Sequence, residues 1–125
     1  VGSLSCATKL AGPVEIEQML NKIYAINRGL NRRFPDGNSA FKILSRLLEE
    51  CGELAKDVNH FEDTGIKRQK YGEPDRSHLL KEIQDVLRST LAIAQYYGVE
   101  AELESSVEFY YQRMIAEGLI EEEPL

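Results

Sequence analysis

No apolar run in this chain approaches the roughly 18 residues of a transmembrane helix, and no secretory h-region opens it. Neither a membrane span nor a disulfide-dense secreted form is expected, and the default compartment is the cytoplasm. Cysteine is scarce. Cys6 falls in a segment expected to be a floppy tail and Cys51 in the apolar stripe of a helix, so no disulfide framework is implied. Cys51 is expected to be a small core residue. Positive charge is in deficit, with 15 Lys and Arg against 21 Asp and Glu, a net charge of −6. That balance argues against the basic patch a nucleic-acid polymer requires. Strand patterning, solenoid repeats and low-complexity segments are missing too, which leaves helices.

With 125 residues the chain makes one domain, large enough to bury about two-thirds of its unfolded surface. The expected division is a flexible N-terminal tail over 1–12, a helical domain over 13–118 and an acidic C-terminal tail over 119–125. Pro13 suits a first helical turn, and Ile16, Met19, Leu20, Ile23, Ile26 and Leu30 follow at helical spacing, giving a helix over about 14–30. Residues 31–39 are dense in turn formers, with Pro35 holding Phe34 extended or turned. A second helix runs from Phe41 to about Phe61, with Gly65 as its stop. Residues 62–75 read as a polar loop that is long for a helical hairpin. Asp75 can cap a third helix ending at Gly98, and a fourth runs from Ala101 to about Glu117, ended by Gly118. The fold class is all-α, a four-helix bundle.

The chemistry lies in two acidic motifs. In the second helix, Glu50 and Glu53 are three apart; in the third, Glu82 and Asp85 are three apart. Side chains at that spacing are neighbours on one helix face. Taking Leu47 as zero, the stripe Leu44, Leu47, Cys51, Leu54, Val58, Phe61 centres near about 20°, with Glu50 and Glu53 at about 300° and 240°. From Leu79 the stripe Leu79, Ile83, Val86, Leu87, Thr90, Ala94, Tyr97 places Glu82 and Asp85 at the same two angles. Packed as antiparallel neighbours, the two helices would bring four carboxylates to one side of their seam. Glu49/Glu53 and Glu53/Asp57 add like-charge pairs that cost an isolated helix a few tenths of a kcal/mol each. Four oxygen donors without His or Cys suit Mg²⁺, or Mn²⁺, rather than zinc. The ordinary alternative is a set of surface ion pairs, Arg46 with Glu50 and Lys81 or Arg88 with Asp85.

The order Glu49-Glu50-x-x-Glu53, then the 28 residues from 54 to 81, then Glu82-x-x-Asp85 resembles the all-α nucleoside triphosphate pyrophosphohydrolases of the MazG type. The flanks strengthen it, Arg-Leu-Leu-Glu-Glu-Cys-Gly-Glu-Leu-Ala before and Lys-Glu-Ile-Gln-Asp-Val-Leu after, and the resemblance covers roughly residues 15–115. It implies cleavage of a nucleoside triphosphate to the monophosphate and pyrophosphate, in dimers or tetramers whose subunits complete each other's sites. By position in the motifs, Glu50, Glu53, Glu82 and Asp85 would hold Mg²⁺, and Glu49 would order or deprotonate the attacking water. Relatives carry Lys and Asn-Arg features after the second motif. Here that helix reads Glu108-Phe109-Tyr110-Tyr111-Gln112-Arg113, with Arg113 its one obvious cation, so base and sugar stay open among dUTP, dCTP, a broad range or a damaged nucleotide.

Lys67, Arg68 and Lys70, in the long loop, are candidates with Arg113 for the anionic substrate, although a solvated loop or a partner subunit would use them as well. His60 and His78 lack partners at metal-ligand spacing and read as hydrogen-bonded surface residues. Tyr96, Tyr97, Tyr110 and Tyr111 fit core or subunit interface better than base stacking. Homodimerisation or tetramerisation is expected, because the amphipathic helices carry more apolar surface than one small bundle covers. Two other readings remain open: phosphoribosyl-ATP pyrophosphohydrolase, which shares the architecture and similar motifs, and a helical assembly or nucleotide-binding module without catalysis.

Overall fold

The computed structural model describes residues 13–122, with side chains from 18 onward; Cys6, the rest of 1–12 and residues 123–125 lie outside the described residues. Among them there are five α-helices and no strand. They are α1 (Pro13–Arg33), α2 (Ala40–Phe61), α3 (Lys67–Tyr71), α4 (Arg76–Tyr96) and α5 (Glu100–Ala116), with a 3₁₀ turn at Pro35–Gly37. No helix among the described residues is long and apolar enough to cross a membrane.

Local chemistry sets the ends of α2 and α4. Ser39 is extended and its hydroxyl oxygen accepts from the Lys42 backbone N–H at 3.2 Å, satisfying a donor that the first turn leaves unpaired. Asp75 does the same for α4, accepting from the Ser77 N–H at 2.9 Å. Gly98 and Gly118, both at positive φ, follow the ends of α4 and α5 as expected. The end of α2 differs from expectation. Asp63, not Gly65, takes the first left-handed position (φ 57°) and lets the Thr64 N–H return to the Asn59 carbonyl at 2.9 Å. Aspartate tolerates that conformation better than most residues, and Asp63 Oδ1 then accepts from the Arg68 N–H at 2.9 Å in the first turn of α3. The expected 62–75 loop thus contains a short helix.

Helix α4 is the central element, packed on α2 along one side and on α1 along the other. The α1 contact is polar at its heart. Asn27 is buried and donates from Nδ2 to the Arg88 carbonyl at 3.0 Å and to Gln95 Oε1 at 2.8 Å, while Gln95 Nε2 donates to the Tyr24 carbonyl at 3.1 Å. Arg88 also reaches Asn27 Oδ1 at 3.5 Å, so it faces α1 and not Asp85.

The seam between α2 and α4 uses a different face from the expected one. On α2 the inward positions are Ile43, Leu47, Glu50, Leu54, Asp57 and Phe61, whereas Leu44, Cys51 and Val58 are exposed. The helix is rotated by about 60° relative to the expected stripe. Cys51 is therefore a surface thiol, a correction to its expected core position. On α4, Ile83, Thr90 and Tyr97 are likewise exposed while Glu82 and Ser89 are buried. Both helices are apolar over a broad arc, and they meet along the edge that carries the acids.

The remaining edge is uncovered. Phe41, Leu44, Leu48 and Val58 on α2 and Leu80, Tyr96 and Tyr97 on α4 are exposed, Phe41 to 84%. Helix α5 has no buried residue, and its Leu103, Val107, Phe109 and Tyr110 face outward, with Tyr111 half-buried. Of the tyrosines expected in a core or subunit interface, Tyr96, Tyr97 and Tyr110 are thus outside the core of the single chain. Buried apolar side chains among the described residues are few: Ile23, Ile43, Leu91 and Ala94.

Candidate metal centre and active site

The rotation of α2 and α4 brings the acids into the seam. One carboxylate oxygen each of Glu50, Glu82 and Asp85 lies within 4.8 Å of the others, a spacing a single cation can bridge. The Glu82 side chain is only 6% exposed, and among the described residues no hydrogen-bond donor reaches its Oε2. A buried, unsatisfied carboxylate oxygen is costly to leave bare. Asp85 is nearly buried as well, at 14%, and accepts from Lys81 Nζ at 2.9 Å. Glu50 shows the strain of the arrangement. Its burial, followed by the charges of Asp85 and Glu82, raises its pKa above the ordinary carboxylate range. Like charges pressed together out of water favour the neutral acid. An all-oxygen donor set, an oxygen without a donor and a carboxyl pushed toward neutrality all fit a hard divalent cation.

Glu53 stands apart. It is 45% exposed and turned toward Lys56 Nζ at 3.8 Å, so three of the four expected ligands are gathered and the fourth lies at the rim. Glu49 is exposed and is not among the gathered acids. Of the ion pairs offered as the ordinary reading, only Lys81–Asp85 forms; Arg46 instead donates to the Gly37 carbonyl at 2.9 Å.

A second group was missed in the sequence. His78 Nδ1 lies 2.7 Å from Asp57 Oδ2, and His78 Nε2 lies 3.7 Å from Glu82 Oε1. Asp57, His78 and Glu82 again offer ligand atoms within 4.8 Å of one another, so Glu82 is common to both groups. The hydrogen bond to Asp57, and then its charge, raise the His78 pKa. The available signal was helical: Asp57 is seven residues after Glu50, and His78 four before Glu82, each on its motif's own face. His60, by contrast, meets the Gly72 carbonyl at 2.8 Å and the edge of the Tyr71 ring, away from the acids.

The match to known families decides the class. Residues 39–116 match the MazG nucleotide pyrophosphohydrolase domain. The chain belongs to this family. No curated protein and no solved structure gives a significant match. The MazG match runs from the Ser39 cap to the end of α5 and takes in both acidic motifs; α1, which carries Asn27, precedes it.

The basic candidates are dispersed around this MazG domain. Arg68 is tied down by Glu73 at 2.8 Å and by the Phe61 carbonyl at 2.8 Å, which makes it a brace for the α2–α4 connection. Lys67 lies 6.0 Å from the Tyr71 ring centroid, Lys70 is exposed, and Arg113 pairs with Glu117 at 3.2 Å on α5. Two grooves open near the start of α2, about 10 Å along the helix from Glu50. One, of about 270 Å³, is lined by Arg28, Asn31, Asn38 and Gln95 among others. The other, of about 400 Å³, is apolar, between Phe41, Leu44, Ile93, Tyr96 and Tyr97.

Proposed function

We propose that this chain is a Mg²⁺-dependent nucleoside triphosphate pyrophosphohydrolase, cleaving (d)NTP to (d)NMP and pyrophosphate in the upkeep of the nucleotide pool. The observation that carries it is the Glu50–Glu82–Asp85 cluster, with a Glu82 Oε2 that no donor among the described residues satisfies, inside a MazG domain. Phosphoryl transfer is mainly positioning plus neutralisation of developing charge. A divalent cation, which Glu50, Glu82 and Asp85 would hold from the seam, would supply that neutralisation. Glu53 completes the set by turning inward from Lys56. Glu49, exposed and next in sequence to Glu50, orients the attacking water and accepts its proton in this reading.

The working unit is a homodimer or homotetramer. The apolar edge of α2 and α4, the outward side chains of α5 and the small core support this, since such surface is rarely left to water. Arg113 and the 67–70 segment then serve the substrate only if assembly brings them to a site. For the base, the groove with Arg28, Asn31, Asn38 and Gln95 offers donors and acceptors at a suitable remove from the acids.

The test is pyrophosphate release from a panel of NTPs, dNTPs and phosphoribosyl-ATP, with Mg²⁺ or with EDTA, for the wild type, Glu53→Gln and Glu49→Gln. Metal-dependent release lost in Glu53→Gln is the expected result. Full turnover in Glu49→Gln with an unchanged pH profile removes Glu49 from its role. Release from phosphoribosyl-ATP alone would move the reading to that neighbouring specificity, and release from nothing would reduce the chain to an assembly or binding module.

A further inference from the structure

We propose that His78 is a nitrogen ligand of the cation centre, held in place by Asp57, so that the Glu82 carboxylate bridges an all-oxygen position and a mixed nitrogen–oxygen position. The inference rests on the reading that Glu50, Glu82 and Asp85 hold a cation. Nδ1 is already committed: at 2.7 Å from Asp57 Oδ2 it donates a hydrogen bond from α4 to α2. A neutral imidazole with its proton there presents a lone pair at Nε2. Nε2 is 3.7 Å from Glu82 Oε1, too far for a hydrogen bond. Two ligand atoms each about 2.1 Å from one cation stand about 3.4 Å apart at a tetrahedral angle, and slightly more at wider angles. The observed gap is thus near the spacing of two ligands of one ion. Glu82 is the side chain that both groups share; it is 6% exposed and its Oε2 lacks a donor. A carboxylate that orients the imidazole through its other nitrogen is the usual support for a histidine ligand. The nitrogen donor gives this second position a preference for Mn²⁺, Co²⁺ or Zn²⁺ over Mg²⁺.

The test uses the full, tag-free chain without nucleotide and Mn²⁺ alone as probe. Equilibrium dialysis counts bound Mn²⁺, and pulsed electron paramagnetic resonance detects directly coordinated ¹⁴N. The wild type is expected to show nitrogen coupling, and His78→Gln to lose it while keeping Mn²⁺ at the all-oxygen position. Asp57→Asn is expected to keep the coupling and bind about 10–100-fold more weakly at that position. His78 is half exposed, so its replacement leaves the helices intact, which circular dichroism checks. Bound Mn²⁺ without nitrogen coupling in the wild type, or coupling that persists in His78→Gln, overturns the inference. Absence of any Mn²⁺ binding overturns it as well. In each of these cases pyrophosphate release with Mg²⁺ decides the hydrolase reading separately: if release persists, that reading stands and only the His78 position is lost.

Discussion

His78 Nδ1 on α4 stands 2.7 Å from Asp57 Oδ2 on α2, a polar link across the seam one turn from the buried Glu82. In the metal-free chain it has a definite pH signature. The folded-state His78 pKa is raised by the hydrogen bond to Asp57, so the link adds stability below the unfolded value of about 6.5. That stability fades as pH rises through the raised value. Thermal melts in EDTA across this range should therefore show a fall for the wild type that Asp57→Asn lacks. Parallel curves for the two proteins would refute the link.

Glu50 has the same sign of pH dependence for a different cause, crowding in place of pairing. Its folded pKa is raised by burial and by Asp85 and Glu82, so in the metal-free chain stability is lost as pH climbs above the ordinary carboxylate value of about 4.3 and through the raised one. Glu50→Gln is expected to melt higher than the wild type in EDTA at neutral pH. With Mg²⁺ the order reverses, since a ligand at about 100 times its Kd adds about 2.7 kcal/mol to a fold that binds it. Differential scanning calorimetry with and without Mg²⁺ checks both halves.

Asn27 anchors α1 to α4 through the Arg88 carbonyl and Gln95. Asn27→Leu would fill the volume but leave those buried acceptors without their donor, at a cost of about 1–3 kcal/mol. Urea unfolding of the variant should show a lower midpoint, with Asn27→Asp, whose carboxylate has no N–H to donate to either acceptor, also destabilised.

The acids and the helices were legible in the sequence because both rest on spacing. Glu50, Glu82 and Asp85 come together, with Glu53 left at the rim, and the start of α4 follows from a local bond in which Asp75 accepts from the Ser77 N–H. What escaped depends on which of two apolar edges a helix buries. Leu44, Cys51 and Val58 are as apolar as Ile43, Leu47 and Leu54, so periodicity alone could not choose between them. The choice of the acid-bearing edge drew Asp57 and His78 into the seam and put Cys51 in water. Asn27 was silent for a related reason: a lone polar residue at a core position becomes readable only once its partners across 61 and 68 residues are placed.

The uncovered edge yields the last prediction. Phe41 is 84% exposed and Leu48 65%, on the side of α2 facing away from α4's acids, and the apolar groove of Phe41, Leu44, Tyr96 and Tyr97 continues that surface. If a second copy covers it, light scattering of the wild type gives a multiple of the 14.2 kDa chain mass. A charge placed in the middle of such a patch is desolvated without a partner, which disfavours association strongly. Phe41→Glu with Leu48→Glu is then expected to elute at the monomer mass. Because both side chains are already exposed within one chain, the substitutions remove no internal contact of consequence, and far-UV circular dichroism should stay helical. Hydrolysis lost together with assembly, while Mn²⁺ binding survives, would mean that one chain builds the metal half of the site and its partner supplies the nucleotide half. Activity retained by a monomer would place the whole site within one chain, and the groove of Arg28, Asn31, Asn38 and Gln95 would become the first place to look for the base.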